Sequence, residues 1–483
     1  MSAVNADRRP GRLQLRADDP TLTPHAGLAI VGELAHRLRL VELADAELGQ
    51  VRLARPVKRR RRGLSPGAFA VALAEAQLAG AECFDDLERL RADRAGAPLR
   101  AVADTPSAPT ARQLARLFRP SHIRALERAQ ARAGERLDRS LGRDPGAPTV
   151  DLDATETVVY GRRKQGAGRS RSGQLAYNSY VATWAERGRA LTSELKGGHQ
   201  AKISARESAR IIDRAIKLLP AGHGPVTVRG DSAFYAAELM MHLRARGARF
   251  TFSAPRTSTM WAKMAEIPHH SWQQAIDMHG AEVAELTFTP EGWQHEPLRL
   301  IVRRVPVTAA ELQAGSPRAR RRTTIPPEQL QMVIDGQLDS TFAYSFIVTD
   351  IPASEKSATE VEHFHRQRAQ IEERFKDAKL GQPLRHLPSR DLNANRLWLA
   401  CSLLALNLCA LVCDISPAAA ASGAAPEHTP LRRHAKTLRR LFFCVPARIV
   451  RTARQTILRL PEGFPHFDLF NATYHAALAL PAP

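Results

Sequence analysis

Apolar residues recur along this chain with two periods, and the change of period divides it. Over residues 27–139 the spacing is helical. Residues 27–40 form an amphipathic segment behind Thr23-Pro24-His25, and residues 66–81 form an Ala- and Leu-rich one. Shorter helices are predicted over 84–92, 111–118 and 121–139, the last dense in Arg. No repeat at solenoid spacing is evident. At Asp144-Pro145-Gly146 the period drops to two. Residues 149–161 (TVDLDATETVVYG) alternate and predict a strand. A polar, Gly- and Arg-rich loop, 162–172, leads to two further strands over 177–184 and 190–195. Helix 204–219 opens on Ser204 with Glu207 at its third position, a capping-box spacing. Strand 226–229, helix 235–246 closed by Gly247, and strand 249–253 complete the order β-β-β-α-β-α-β. That order predicts an α/β fold with a mixed sheet and helices on its faces.

Residues 254–350 are strand-rich and irregular, with strands at 284–289, 298–305 and 342–349 and a basic loop at 318–322. They read as an inserted β-subdomain. Helical spacing returns over 358–379 and is followed by the apolar run 397–413 (LWLACSLLALNLCALVC). This run approaches the length of a membrane span, yet it carries Ser402 and Asn407 and is expected to be a buried core helix. An Ala-, Pro- and Gly-rich linker, 417–430, precedes a basic segment, 431–460. The implied layout is an all-helical region 1–145, an α/β core in two parts (146–253 and 351–416) around the insertion 254–350, and a basic region 417–483.

Composition matters mainly through charge. Hydrophobic residues make up 44% and charged residues 25%, as in soluble globular proteins, but 70 Lys and Arg face 49 Asp and Glu, a net +21. With a pI near 10.6, the excess predicts a polyanionic partner, and its spread along the chain favours nucleic acid over a membrane. The run Lys58-Arg59-Arg60-Arg61-Arg62 is a candidate phosphate contact. Five cysteines without a CxxC pair predict reduced core side chains in the cytoplasm and argue against a zinc site. No apolar h-region opens the chain, so no signal peptide is expected.

Residues 362–381 (EHFHRQRAQIEERFKDAKLG) read as helix up to Gly381. At about 100° per residue, His365, Arg368, Glu372 and Lys379 fall within about 60° of one another. Phe364, Ile371, Phe375 and Ala378 form a neighbouring apolar stripe. Taken alone, this pattern is most economically an exposed ladder of i,i+4 ion pairs. Two further carboxylate positions change its weight. Strand alternation puts Asp151 and Asp153 on one face with Leu152 opposite. Asp231 follows strand 226–229, at the end where open α/β sheets place ligands. Asp153, Asp231 and Glu372 lack a compensating His/Cys set and suit hard divalent ions, Mg2+ or Mn2+. Two such ions in one carboxylate cluster serve phosphodiester chemistry. Other readings account for part of the pattern only. A glycosyltransferase DxD at Asp151-Leu152-Asp153 leaves the positive charge unexplained, and a structural DNA binder leaves the three acids unexplained.

In these motifs the chain resembles the bacterial insertion-sequence DDE transposases, in particular the cut-and-paste group with a Tyr-Arg-Glu-Lys signature and a β-strand insertion. His365, Arg368, Glu372 and Lys379 reproduce the signature spacing, with His where the family usually has Tyr. Asp153-Ala154-Thr155 matches the first-aspartate motif, and Arg229-Gly230-Asp231-Ser232-Ala233-Phe234-Tyr235 matches the second. The resemblance covers roughly residues 150–415. It implies an RNase H-like catalytic core, with Asp153, Asp231 and Glu372 as catalytic ligands of two Mg2+ ions, replaceable by Mn2+. The Asp-x-Thr context favours Asp153 over Asp151, and the helical angle favours Glu372 over Glu373. Arg368 and Lys379, with His365, are then expected on the DNA backbone, as is the Lys58, Arg59, Arg60, Arg61 run of the helical N-terminal region. The implied reaction nicks double-stranded DNA at terminal inverted repeats, releases the element through a hairpin and joins it to target DNA. A homodimer is expected, and no membrane. Trp272 or Trp293 is the candidate to stack on a displaced base. The runner-up is a metal-dependent nuclease, or a domesticated transposase acting as a DNA-binding regulator.

Overall fold

The computed structural model describes residues 15–51, 56–58, 62–170, 173–200, 203–314, 322–369, 386–416 and 434–482. Glu372, Glu373 and Lys379, the stripe residues Ile371, Phe375 and Ala378, and Arg59, Arg60 and Arg61 lie outside these residues.

The polar and apolar alternation from residue 149 onward produces one ten-stranded sheet. β1 (Thr149–Val158), β2 (Leu175–Trp184) and β3 (Arg189–Gly197) pair antiparallel in sequence order. On the other side of β1, β4 (Thr227–Gly230) and β5 (Arg249–Ser253) run parallel to it. Three longer strands follow: β6 (Glu282–Phe288), β7 (Leu298–Thr308) and β8 (Ser340–Thr349). β8 pairs antiparallel with β5, so the order is β3-β2-β1-β4-β5-β8-β7-β6, with short strands Gly168–Arg169 and Gln273–Gln274 flanking it. The strands expected as an inserted subdomain therefore extend the main sheet. The reason is packing: Leu298, Leu300, Val302, Phe346 and Val348 continue the same buried apolar face as Val228, Phe250 and Phe252.

Helices α1 (Ala205–Ile216) and α2 (Ala237–Ala245) cover that face. Ser204 and Glu207 form the expected capping box, each side chain accepting the other's backbone N–H at 3.2 Å. Ile211 and Ile212 on α1 and Leu239, Met240 and Leu243 on α2 pack on Val150, Leu152, Val228 and Phe250. Each fully buried side chain of this kind contributes roughly 1.5–3 kcal/mol. On the opposite face lies α3 (Ala358–Arg366), capped by Ser357, with Val361 seated on Val283, Ile301, Val305 and Ile347. The added strands thus supply the apolar floor on which α3 rests.

The helical part joins the sheet through α4 (Leu392–Ile415), the apolar run of the sequence. It is long and apolar enough to cross a membrane but is buried along nearly all its length. It packs against the helices Pro66–Leu78 and Pro120–Ser140 and against β3. Asn407 ties it to neighbouring elements: its amide accepts from Ala190 N at 2.8 Å and donates to Ala190 O and Gln130 Oε1 at 2.9 Å. Buried Arg189 on β3 bridges Asp138 and Asp414 at 2.7 Å each. Beyond the expected helices the chain also forms Leu40–Gly49. The C-terminal region returns to the start of the described chain. Ala447–Arg451 pairs with Leu22–Thr23, and the helix Phe467–Leu478 lies on Leu28–Arg37. Gly27 is required there, because a Cβ would lie 2.0 Å from the Phe442 carbonyl oxygen.

Glu127, on Pro120–Ser140, accepts from Ser193 N at 2.8 Å and from the Thr192 hydroxyl at 2.9 Å. Burial pushes its pKa up to about 7 against these two donors. A carboxyl raised in the folded state contributes stability below its unfolded value, near 4.5, and loses it as pH rises through the folded value. Glu127→Gln is therefore expected to gain stability relative to the parent protein as pH rises from 4.5 to 7. Urea unfolding at both pH values measures that difference, and parallel pH profiles would contradict it.

Candidate active site

The strand registers place one polar row straight across the sheet. Thr183, Asp151, Arg229, Thr251, Thr349, Arg299 and Thr287 are consecutive cross-strand partners from β2 to β6. All lie on the face under α3, opposite Leu152 and Phe250. Uncompensated charge at such buried positions is costly, and the row is resolved around Arg229. Its Nε and Nη2 donate to the two Asp151 oxygens at 2.6 and 2.9 Å. Its Nη1 donates to the Phe364 carbonyl on α3, and the guanidinium lies 4.7 Å from the Phe364 ring centroid. Burial pushes the Asp151 carboxyl above its usual value, with the Arg229 charge opposing. Asp151 thus has both oxygens committed to a structural clasp.

Two residues further along β1, Asp153 points to the same face. Leu152 beside Gly230 is the last pair of the parallel register, so Asp153 and Asp231 are the residues that follow it on the two chains, Asp153 still in β1 and Asp231 at the turn that ends β4. Gly230 makes room for the Phe252 ring on the opposite face, where a Cβ would meet it at 2.8 Å. Asp231 Oδ1 accepts from Ala233 N at 2.9 Å, a turn that orients the carboxylate at the strand end. Asp153 Oδ1 accepts from Ala154 N at 2.9 Å and lies 3.7 Å from Arg368 Nη1.

α3 brings Arg368 there. His365 is buried, with Nδ1 2.8 Å from the Thr251 hydroxyl and Nε2 2.9 Å from the Ser253 hydroxyl. Burial, with Arg368, Arg229 and Arg303 nearby, holds its pKa well below the ordinary value, so the ring is neutral. Both nitrogens already have partners inside the protein, so His365 props the helix and presents no nitrogen to a phosphate. Fully buried Glu362 adds a second brace, pairing with Arg303 on β7 at 2.6 Å and with Arg366 at 3.1 Å. The expected unbroken helix is interrupted: α3 ends at Arg366, and Arg368 N donates to His365 O, three residues back. Angles carried from His365 at 100° per residue do not extend past this tightened turn.

Other expectations meet different surroundings. The Lys58 ammonium folds back onto the Arg62 and Leu64 carbonyls, the latter at 2.8 Å. Trp293 is a core residue, packed on Phe250 with its indole N–H donating to Glu296 O at 2.8 Å. Trp272 is covered by the Arg304 guanidinium, 4.1 Å from its ring centroid. The bracing residues Arg229, Thr251, Ser253, Arg303 and Glu362 were not anticipated. The signal for the first was present: an Arg two residues before Asp231, on a strand too apolar to leave it solvated. His365→Ala is expected to leave the Thr251 and Ser253 hydroxyls without that partner and to cost about 1–3 kcal/mol. An unchanged urea midpoint would contradict this placement.

The fold is α/β, with Asp153 midway along β1 and Asp231 just past the carboxyl end of its parallel neighbour β4. The chain belongs to the family Transposase DDE domain group 1, whose family model matches residues 7–481. It is a transposase, and enzymes of this DDE class depend on a divalent metal. No curated protein matches the chain. Among solved structures, one match is the cryo-EM structure of a piggyBac transposase synaptic complex with hairpin DNA. It is 9% identical and covers 96% of this chain and 83% of that chain, with a TM-score of 0.41, too loose a likeness to carry an argument.

The donors fit the metal the family requires. Among the described residues no group of three or more His, Cys, Asp and Glu forms a metal cluster. Asp153 and Asp231 each offer hard carboxylate oxygens, the donor type that a divalent cation takes.

Proposed function

We propose that this transposase binds the ends of a bacterial insertion sequence, cleaves them with two Mg2+ ions held by Asp153, Asp231 and Glu372, and joins them to target DNA. The observations that support the reading are the parallel pairing of β1, which carries Asp153, with β4, which leads into Asp231, and the approach of Arg368 to 3.7 Å from Asp153. Three antiparallel strands followed by two parallel ones, in the order β3-β2-β1-β4-β5 with helices in the last two connections, support an RNase H-like core. Glu372 and Lys379 lie outside the described residues, and their roles rest on the signature spacing.

Within that centre the chain's own groups divide the work. Asp153 and Asp231 hold the ions from two neighbouring strands, and Glu372 completes the set from the helical segment beyond Arg368. Bound there, the ions would activate a water or a 3′-OH and stabilise the leaving oxygen. Arg368, with Lys379, holds the phosphate backbone while staying close enough to Asp153 to fix its orientation. Arg229 and His365 keep the strands and α3 in register and touch no substrate. The net charge of +21 supplies the attraction to duplex DNA. A homodimer pairs the two ends in the bacterial cytoplasm, and the flanking strand is released through a hairpin.

A labelled duplex carrying the element's terminal repeat tests this reading. Purified protein with Mg2+ is expected to leave a 3′-OH nick and then a hairpin seen on a denaturing gel, and EDTA is expected to stop both. Cleavage that persists in EDTA, or none with either Mg2+ or Mn2+, would refute the proposal.

A further inference from the structure

The loop that follows β1 has no part in the centre just described, yet it is built to meet a ligand. Residues 160–170 read YGRRKQGAGRS, with Arg162, Arg163, Lys164 and Arg169 and no acid. Tyr160 is 81% exposed, whereas every other large aromatic ring on an expected core strand is at least partly covered. Arg162 and Arg163 are exposed as well, and among the described residues they have no ion-pair partner. An exposed aromatic beside paired guanidiniums has no folding role here, since it buries no surface and neutralises no acid.

The loop's base, by contrast, is fixed. The Lys164 ammonium donates to the Leu387 and Ser389 carbonyls, the latter at 3.1 Å. Gln165 N donates to Arg390 O at 2.9 Å, and the Tyr177 hydroxyl donates to Gln165 O at 2.5 Å. Gly161, between Tyr160 and Arg162, takes a φ of 105°, a backbone conformation that favours glycine. One cation is therefore used to anchor the loop, and the two at the tip face solvent. An anchored base lowers the ordering cost that a mobile loop would incur on binding.

We infer that Tyr160, Arg162 and Arg163 form a DNA-contacting finger. The two guanidiniums bind phosphates of duplex DNA, and the Tyr160 ring rests on the deoxyribose between them. This inference rests on the proposed DNA cleavage at Asp153. Tyr160 stands seven residues beyond Asp153 and two past the end of β1, a span of roughly 20 Å for near-extended chain. The finger then touches the duplex about six base pairs from the cleaved bond. Its contacts to phosphate and sugar carry no sequence preference.

Binding of the full-length protein to a mixed-sequence duplex across a salt series tests the finger. Arg162→Ala with Arg163→Ala is expected to lower the slope of log affinity against log salt by about 1.8, two phosphates at about 0.9 each. Tyr160→Ala is expected to weaken binding about fivefold or more with the slope unchanged, and Tyr160→Phe to restore it. Melting temperatures should match the parent protein, because the three side chains are exposed. Parent affinity and parent slope in both variants would overturn the finger. Metal-dependent cleavage is recorded on the same samples. A parent protein that binds but does not cleave counts against the proposed reaction alone, and one that cleaves while the variants bind normally counts against the finger alone.

Discussion

Asp231→Asn and Asp153→Asn are each expected to reduce metal-dependent strand cleavage by more than about 100-fold while duplex binding stays measurable. The asparagine keeps the size and the turn geometry of Asp231, whose Oδ1 accepts from Ala233 N at 2.9 Å. What it removes is the negative charge that, on the proposed reading, would hold a divalent ion. Substitution of groups that merely orient metal ligands costs about 10–100-fold in affinity or activity, so loss of a ligand itself costs more. DNA affinity should not fall in parallel, because removing a carboxylate from a surface that meets phosphates lowers repulsion. Asp151→Asn serves as the comparison. Its carboxylate is bound on both oxygens by Arg229, so its loss appears chiefly as lower stability. Cleavage and filter binding on the three variants separate these outcomes. Parent-level cleavage by Asp231→Asn would remove that residue from the centre.

The second large effect is on stability. Arg229→Met is expected to destabilise the protein by about 3–5 kcal/mol, because it leaves the buried Asp151 carboxylate without its partner. The same change strips α3 of the donor to the Phe364 carbonyl and of the cation over the Phe364 ring. Asp151→Leu combined with Arg229→Met should recover much of the loss, since a buried pair replaced by apolar groups of similar size is often nearly neutral. The four proteins form a double-mutant cycle measured by urea unfolding. A strictly additive double variant would mean that the clasp is not a coupled unit.

The comparison of sequence with structure shows where local pattern is informative. The alternation around Leu152 assigned its face correctly, because period two depends only on neighbouring residues. The Ser204 and Glu207 cap and the strands from 149 to 253 were legible for the same reason. The attachment of β8 to β5 was not, since it pairs residues about a hundred positions apart and no local signal encodes it. The misreading of His365 has a related cause. Helical spacing gives a side chain's angle but not what covers it, and here Thr251 and Ser253 from β5 do. Lys58 and Trp293 follow the same logic: the lysine ammonium and the indole acquire intramolecular partners only once the chain folds. Arg229 was visible within the second-aspartate motif, but its role became clear only from the register that sets it against Asp151.

The acidic centre can be mapped directly by placing Fe2+ in it and generating hydroxyl radicals with ascorbate and peroxide. The radicals cut the polypeptide within a few ångströms of the bound ion, whatever the DNA substrate. The account predicts backbone cuts near residues 153, 231 and 372 together, all suppressed by excess Mg2+ and weakened by Asp153→Asn. Cuts confined to other segments, or a pattern that Mg2+ leaves untouched, would contradict a shared metal site formed by Asp153, Asp231 and Glu372.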